Sequence, residues 1–438
     1  MVVLLVIILL FFMLIAGIPI GVTLACVGGI GIWLINPDAV LGIFQSVPFR
    51  TSASYLLTTC PMFILMAELA STGITRNLFD FAAKRTRKFP ASLGVATVFA
   101  SAIMGAICGS STAAAATMSN IAIPEMIKKG FPARMATAIV AVSGTLAIMI
   151  PPSIVLVLYG ILADVSVGKL LMAGVIPGVL SGVAYSITII IWFKREQKKN
   201  NIPSDELLKQ MATEGRESMT NLWQELLAIG PAIILIILVL GGIYSGIVTP
   251  TEAAAVGAFA TLILALIKRE QNPKLVYEAC VRAVKTNTMI FTIMIGARIF
   301  GYFMVFSQTT TKITAYVSNM VTDSWVIIAL LVVFYIVLGC FMDGIAILLL
   351  TIPVVAPIVA SLGFDLIWFG IVVTKLIEIG LVTPPVGINV FIAADGAKIP
   401  VDEGFRGVGV LLMAEVVVLL ILMFFPILTL WLPSLMKA

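Results

Sequence analysis

Ile150-Pro151-Pro152-Ser153 and Thr383-Pro384-Pro385-Val386 each set two adjacent prolines inside an apolar stretch. Proline has no backbone N–H and cannot continue an α-helical ladder, so each pair breaks a segment whose neighbours favour helix. Pro151 and Pro384 lie 233 residues apart, and the same offset carries Pro124 onto Pro357 and Gly130-Phe131 onto Gly363-Phe364. Self-similarity at one fixed offset marks a unit used twice. In an apolar chain, interrupted segments at corresponding positions of two halves point to a shared binding site.

The chain has 438 residues, 61% of them hydrophobic and 11% charged, with a mean hydropathy of +1.14. A soluble domain of that size does not carry such a composition. Apolar runs close to the roughly 20 residues needed to cross about 30 Å of hydrocarbon recur from end to end. They are rich in Leu, Ile, Val, Ala and Gly without strict alternation, which reads as helices and not as barrel strands. The first run, from Val2, lacks a basic flank and is followed by another apolar segment after Gly17-Ile18-Pro19. It is expected to be a retained helix and not a cleaved signal. Cys26, Cys60, Cys108, Cys280 and Cys340 have no metal-ligand spacing and are expected as free thiols.

With no histidine in the chain, His-based metal sites and proton relays are excluded. No nucleophile–base constellation marks an enzyme. Gly28-Gly29-Ile30-Gly31 lacks the strand and the acidic residue of a dinucleotide site, and there is no phosphate-binding loop, so ATP is not the direct energy source. The net charge of +5 is explained by basic cytoplasmic loops without any nucleic-acid partner.

Those loops set the expected topology. Arg76 and Lys84-Arg85-Thr86-Arg87-Lys88 precede a weakly polar segment that Lys128, Lys129 and Arg134 follow, so both its ends are expected on the cytoplasmic side. Its centre, Gly109-Ser110-Ser111-Thr112, disfavours helix, which predicts a re-entrant hairpin over about 90–127, two half-membrane helices meeting at a polar tip. A broken helix over about 132–166 completes a first repeat of residues 1–194. Residues 195–225 read as a cytoplasmic linker, expected to form an amphipathic surface helix. The second repeat, 226–438, holds a hairpin over about 333–362 and a broken helix over about 366–397. Counting crossings puts the second hairpin's ends outside, so the two repeats are expected to be inverted.

Non-helical backbone at mid-membrane leaves carbonyls and amides to be satisfied, at several kcal/mol for each group left alone. Carbonyl and hydroxyl oxygens suit Na⁺, and half-helix N-termini suit an anion. The competing reading is a packing kink, with hydroxyls bonding back to the preceding turn. Asp343, in Gly339-Cys340-Phe341-Met342-Asp343-Gly344, has three open roles: Na⁺ ligand, ion-pair partner of Arg298 or Lys375, or a protonated structural group, with organisation of an ion site favoured. Arg298 is expected either to receive a solute carboxylate or to pair with Asp343 or Glu378. Lys375 and Glu378 are expected to pair within one helix, and Glu68 and Glu252 to cap helices or sit at the interface. Gly174, Gly178 and Gly182 have the spacing of close helix packing.

Taken together, Gly109-Ser110-Ser111-Thr112 through Thr117, Ile150-Pro151-Pro152-Ser153, Gly339 to Gly344, and Thr383-Pro384-Pro385 through Gly387 and Asn389 resemble the large membrane subunit (M subunit, DctM-like) of the tripartite ATP-independent periplasmic (TRAP) transporters. The resemblance covers essentially the whole chain. It implies an all-α polytopic fold of the ion-transporter superfamily, an inverted repeat of elevator type in the bacterial inner membrane. It also implies Na⁺-driven import of an organic acid, sialic acid first and a C4-dicarboxylate second, with no other cofactor and no transition metal. The implied first sodium site holds Gly109, Ser110, Ser111, Gly144 and Pro151; the second holds Gly339, Asp343, Gly344, Gly380, Thr383 and Pro384. The implied solute contacts are Ser111, Thr112, Pro152, Ser153, Pro385, Asn389 and Arg298, between the two tips. Implied partners are a periplasmic substrate-binding protein and a small Q-type membrane subunit, expected as a separate chain because no Q-like segment is fused here. The alternative is a self-sufficient Na⁺/organic-anion symporter.

Overall fold

The structure is a computed structural model that describes residues 2–70, 75–86, 91–200, 222–267, 273–309, 311–312 and 324–436. The described residues are helical throughout, without strands. The first seven helices are α1 (Val2–Ile15), α2 (Ile20–Ile35), α3 (Pro37–Ser52), α4 (Thr59–Ala70), α5 (Thr75–Thr86), α6 (Ser92–Cys108) and α7 (Ser111–Lys128). There follow α8 (Ala133–Met149), α9 (Ile154–Leu162), α10 (Val167–Asn200) and α11 (Leu222–Ile236), which continues through a π-helical turn at Ile237–Gly241 to Tyr244. The remainder are α12 (Pro250–Ile267), α13 (Pro273–Phe306), α14 (Ser324–Gly339), α15 (Gly344–Ser361), α16 (Leu366–Val382), α17 (Ile388–Gly396), α18 (Val401–Phe424) and α19 (Ile427–Ser434). Four described helices are long and apolar enough to cross a membrane, and six spans result if the bent pairs α3–α4 (50°) and α8–α9 (43°) count as one each.

The 233-residue offset reappears as geometry. It superposes the bounds of α7 on α15 and of α8 on α16, and it puts Pro124 and Pro357 inside equivalent helices. The turn after each hairpin is the same: Gly130 (φ +83°) and Gly363 (φ +82°) take the left-handed conformation. Phe131 N–H then donates back to Met126 O at 3.0 Å and Phe364 N–H to Val359 O at 3.3 Å. Glycine at this position relieves the Cβ clash that would otherwise oppose the helix stop.

Three boundaries differ from the sequence reading. The second hairpin's first helix already includes Ser324 to Val332, upstream of 333, because Trp325 to Val332 are part of one unbroken apolar helix. Hairpin arms α6 and α7, at 17 and 18 residues, are roughly 25 Å long at about 1.5 Å per residue, longer than half-membrane pieces. Small residues keep α6 helical until Gly109 ends it. Of the expected linker 195–225, residues 195–200 continue α10 and 222–225 belong to α11, while 201–221 lie outside the described residues.

The glycine clusters are close-packing devices. Added methyls at Gly21 and Gly28 of α2 would stand 2.7 Å from the Thr292 carbonyl carbon and 2.8 Å from Phe300 Cα of α13, so the two backbones touch. Gly178 of α10 packs on Ile150, where a methyl would lie 2.6 Å from Cγ1, and this places α10 against the first break. All five cysteines are free. Glu252 forms a capping box with Thr249 at the start of α12, accepting from the Thr249 N–H at 2.8 Å.

Candidate functional site at the hairpin tips

Each break begins as a carbonyl problem. Pro151 and Pro152 have no N–H for the carbonyls of Ala147 and Ile148. Ser153 solves half of it: its hydroxyl donates to Ile148 O at 2.5 Å, and the same oxygen accepts Leu156 N–H at 3.3 Å to start α9. Ser143 and Thr145 bond back to the carbonyls of Ile139 and Val142, as in an ordinary kinked helix. In the second break Thr383 N–H donates to Gly380 O at 3.1 Å and its hydroxyl to Ile379 O at 2.6 Å. Position 386 is valine, so no hydroxyl gives Leu381 the bond that Ser153 gives Ile148. Pro151 and Pro152 are buried, whereas Pro384 and Pro385 are exposed.

The hairpin tips pack onto these breaks through glycine. Gly109, at φ +58°, ends α6, and a methyl there would stand 2.8 Å from the Pro152 carbonyl oxygen. Gly339 meets Gly380, where a methyl would be 2.8 Å from Cα. At the tips, Ser110 and Asp343 are the N-cap residues of α7 and α15. Ser110 Oγ accepts from Ala113 N–H at 3.5 Å, while Asp343 Oδ1 accepts from Ile345 N–H at 2.9 Å and Ala346 N–H at 3.3 Å. Behind the caps, size is exchanged between copies. Gly144 of α8 faces Ser111, whose carbonyl oxygen would be 3.2 Å from a methyl, whereas Ile377 of α16 faces Gly344 at 2.8 Å.

Both tips open on one cavity of about 500 Å³. Gly109 to Ala113 line it from one hairpin, Asp343 to Ile345 from the other, and Ile148 and Leu381 from the two breaks. The far wall is Ile64, Ala67 and Glu68 of α4 with Thr286 and Met289 of α13. Among the described residues its charged lining side chains are Glu68 and Asp343, and none is basic. Glu68 accepts a 2.8 Å ion-pair hydrogen bond from Arg282 Nε, which ties α4 to α13.

The structure thus brings together Gly109, Ser110, Ser111, Thr112, Asp343 and Gly344 on the cavity, with Gly144, Pro151, Pro152 and Ser153 behind one tip and Gly339, Gly380 and Thr383 behind the other. Pro384, Pro385 and Asn389 do not line it; Asn389 is buried and donates to Ala141 O at 3.4 Å. Arg298 is exposed on α13, outside the cavity, and among the described residues it forms no ion pair with Asp343 or Glu378. Lys375 does not reach Asp343 either, since it pairs with Glu378 and, unexpectedly, with Glu415. The α4 and α13 wall was not anticipated. A carboxylate inside the apolar run Met62–Ala70 was the available signal for it.

The profile of the family described as "Tripartite ATP-independent periplasmic transporter, DctM component" matches residues 7–428. The chain is 34% identical over 413 residues to the C4-dicarboxylate TRAP transporter large permease protein DctM of Pseudomonas aeruginosa, covering 93% of this chain and 92% of that one. It is 32% identical to the protein of the same name in Vibrio cholerae, covering 97% and 96%. It is 31% identical to the isethionate TRAP transporter permease protein DctMQ of Oleidesulfovibrio alaskensis, of which it spans 63% while 94% of this chain is covered. Among solved structures, the Alcanivorax borkumensis YdaH transporter shares the fold, with a TM-score of 0.59 and 12% identity over 89% of this chain and 90% of that one.

Proposed function

The chain belongs to the DctM component family of the tripartite ATP-independent periplasmic transporters, multi-pass proteins of the bacterial inner membrane and not enzymes, and from that premise we propose that it imports an organic anion together with Na⁺ by an elevator movement. The observation that carries the reading is the cavity lining, with hydroxyl, carbonyl and carboxylate oxygens at two hairpin tips and, among the described residues, no basic side chain. Like charges about 4 Å apart at an effective dielectric constant of about 20 cost about 4 kcal/mol. Glu68 is already paired with Arg282, so it is beside Asp343 that an entering anion needs a bound cation, and hard oxygen donors suit Na⁺.

The two tips divide the work. Asp343 spends its charge on the N-terminus of α15, while the neutral Ser110 leaves the partial positive charge of α7 open. The solute carboxylate belongs toward α7 and a cation toward Asp343. The first sodium site is drawn from Gly109, Ser110, Ser111, Gly144 and Pro151, and the second from Gly339, Asp343, Gly344, Gly380, Thr383 and Pro384. Ser111 and Thr112 contact the solute; Arg298, exposed away from the cavity, does not. If two Na⁺ accompany one monoanion, the net charge moving inward gains about 2.3 kcal/mol per 100 mV, enough for roughly fifty-fold accumulation.

The fixed offset between α7–α8 and α15–α16 supports a duplication of repeats 1–194 and 226–438, and their opposite orientation rests on the basic loops. The relatives above carry C4-dicarboxylate and isethionate in their names, so a C4-dicarboxylate stands ahead of sialic acid as the solute. A periplasmic binding protein and a Q-type membrane subunit complete the assembly. Reconstitution into liposomes with both partners and an inward Na⁺ gradient tests the whole reading. Solute accumulation that requires the gradient and both partners is expected. Equal uptake by this chain alone overturns the tripartite part in favour of a self-sufficient symporter, and uptake indifferent to Na⁺ overturns the coupling.

A further inference from the structure

Lys375, Glu378 and Glu415 are the fully buried charged side chains among the described residues. Lys375 and Glu378 share α16, and Glu415 comes from α18. Lys375 Nζ donates a hydrogen bond to Glu378 and stands 2.6 Å from Glu415 Oε2. That second contact lacks hydrogen-bond geometry: both oxygens of Glu415 are buried without a hydrogen-bond partner, as is Glu378 Oε1. Two carboxylates against one ammonium leave an excess negative charge in a place without water-facing surface.

Among the described residues the surrounding helices do not balance it, and the basic side chains of α10 lie at its ends, Lys169 in the first turn and Lys194, Arg195, Lys198 and Lys199 in the last two. Helix α10 brings Tyr185, its ring centroid 5.9 Å from Lys375 Nζ and its hydroxyl buried and unpartnered. Tyr335 of α14 and Tyr159 of α9 have spent their hydroxyls on Thr351 at 2.8 Å and on Leu366 O at 2.7 Å. The charged residue of α8, Arg134, pairs with Glu196 at 2.6 Å. Helices α15 and α19 carry no charged residue, and Asp395 sits at the far end of α17. On α18 itself, Asp402, Glu403 and Arg406 lie in the first two turns, with Arg406 bonded to Glu403.

An uncompensated charge is strongly disfavoured in such surroundings. A metal cation is a poor remedy, because it would stand beside the Lys375 ammonium. A proton needs only one oxygen and removes the surplus charge. We propose that Glu415 binds one proton and is held as a neutral carboxylic acid, a resident proton site between α16 and α18 that is separate from the ion sites at the hairpin tips. It leaves Lys375 and Glu378 as a balanced pair.

Infrared spectroscopy of the purified full chain near neutral pH tests this directly. A protonated-carboxyl C=O band is expected that shifts when glutamate is labelled with ¹³C at the side-chain carboxyl and stays put when aspartate is labelled. Glu415→Gln, which imitates the neutral acid, should remove the band with little change in melting temperature. Glu415→Asp should move the band from the glutamate-labelled to the aspartate-labelled class, and it serves where Glu415→Gln does not fold. Absence of the glutamate band in labelled wild-type protein, or its persistence in the folded Glu415→Gln variant, overturns the proposal.

Discussion

Ser110 and Asp343 occupy one structural position twice, each the N-cap of the second helix of a hairpin and each 233 residues from its counterpart. The backbone task is the same, yet one cap is a hydroxyl and the other a carboxyl side chain. That difference makes two copies of one architecture into two unlike ends of a single cavity.

Asp343→Asn separates charge from capping. The amide oxygen can still accept the N–H groups of Ile345 and Ala346, now 2.9 and 3.3 Å from Oδ1, so the loss of stability should stay within about 1 kcal/mol. The Na⁺ concentration for half-maximal uptake should rise about tenfold, which is about 1.4 kcal/mol of lost cation affinity. An unaltered Na⁺ response in a stable variant would remove Asp343 from the ion site.

Ser110→Ala with Ser111→Ala should likewise weaken the Na⁺ response, with a cost in stability near 1 kcal/mol for the lost cap of α7. Uptake titrated against Na⁺ is the measurement. Normal titration with lowered stability would mean that these hydroxyls serve the hairpin alone.

How much of the architecture is legible in the sequence depends on what marks a backbone. The Pro-Pro breaks and the Gly109 tip are readable because proline and glycine restrict or free the chain locally, whatever it packs against. The start of the second hairpin is not, since Trp325 to Val332 are as apolar as Val333 to Leu338 and an all-apolar helix has no boundary signal. Tertiary partners are equally hidden. The pairing of Lys375 with Glu378 follows from a three-residue spacing, but nothing local announces that Glu415, forty residues on, closes on the same ammonium. Arg298 reads as buried because its neighbours are apolar, yet on α13 it faces outward.

Arg298→Ala should therefore leave carboxylate uptake within about twofold of wild type, under about 0.5 kcal/mol, as surface substitutions usually do. A loss of about tenfold or more in solute affinity, measured with the binding protein present, would return Arg298 to the solute path.

Gly109→Ala and Gly363→Ala form a matched pair. Both positions have positive φ, +58° and +82°, and in both the left-handed backbone alone costs a side chain about 1–2 kcal/mol. Only at 109 does the new methyl also meet backbone, 2.8 Å from the Pro152 carbonyl oxygen, while at 363 nothing lies within 4 Å. Gly363→Ala should lower the melting temperature modestly and keep uptake. Gly109→Ala should push the tip off the first break and abolish Na⁺-dependent uptake, and equal behaviour of the two would show that tip and break need not touch.

The exchange of sizes behind the caps gives the sharpest test of duplication. In the first copy Gly144 lies against the Ser111 carbonyl oxygen and Ala115; at the equivalent position of the second copy Ile377 lies against Gly344, and its Cγ2 would be 2.8 Å from a methyl at 344. Gly344→Ser installs the first copy's residue against Ile377, where the first copy has a glycine, and overpacking of this kind typically costs about 1–3 kcal/mol. Ile377→Ala makes space but loses a buried side chain, typically about 2–5 kcal/mol. If the two positions are one packing unit, the double variant should be more stable than the sum of the single losses by about 1 kcal/mol or more, a coupling expected only for residues in contact. Uptake should recover in part with it. Additive losses in thermal denaturation would mean that the contact between tip and broken helix is not the element that the two copies share.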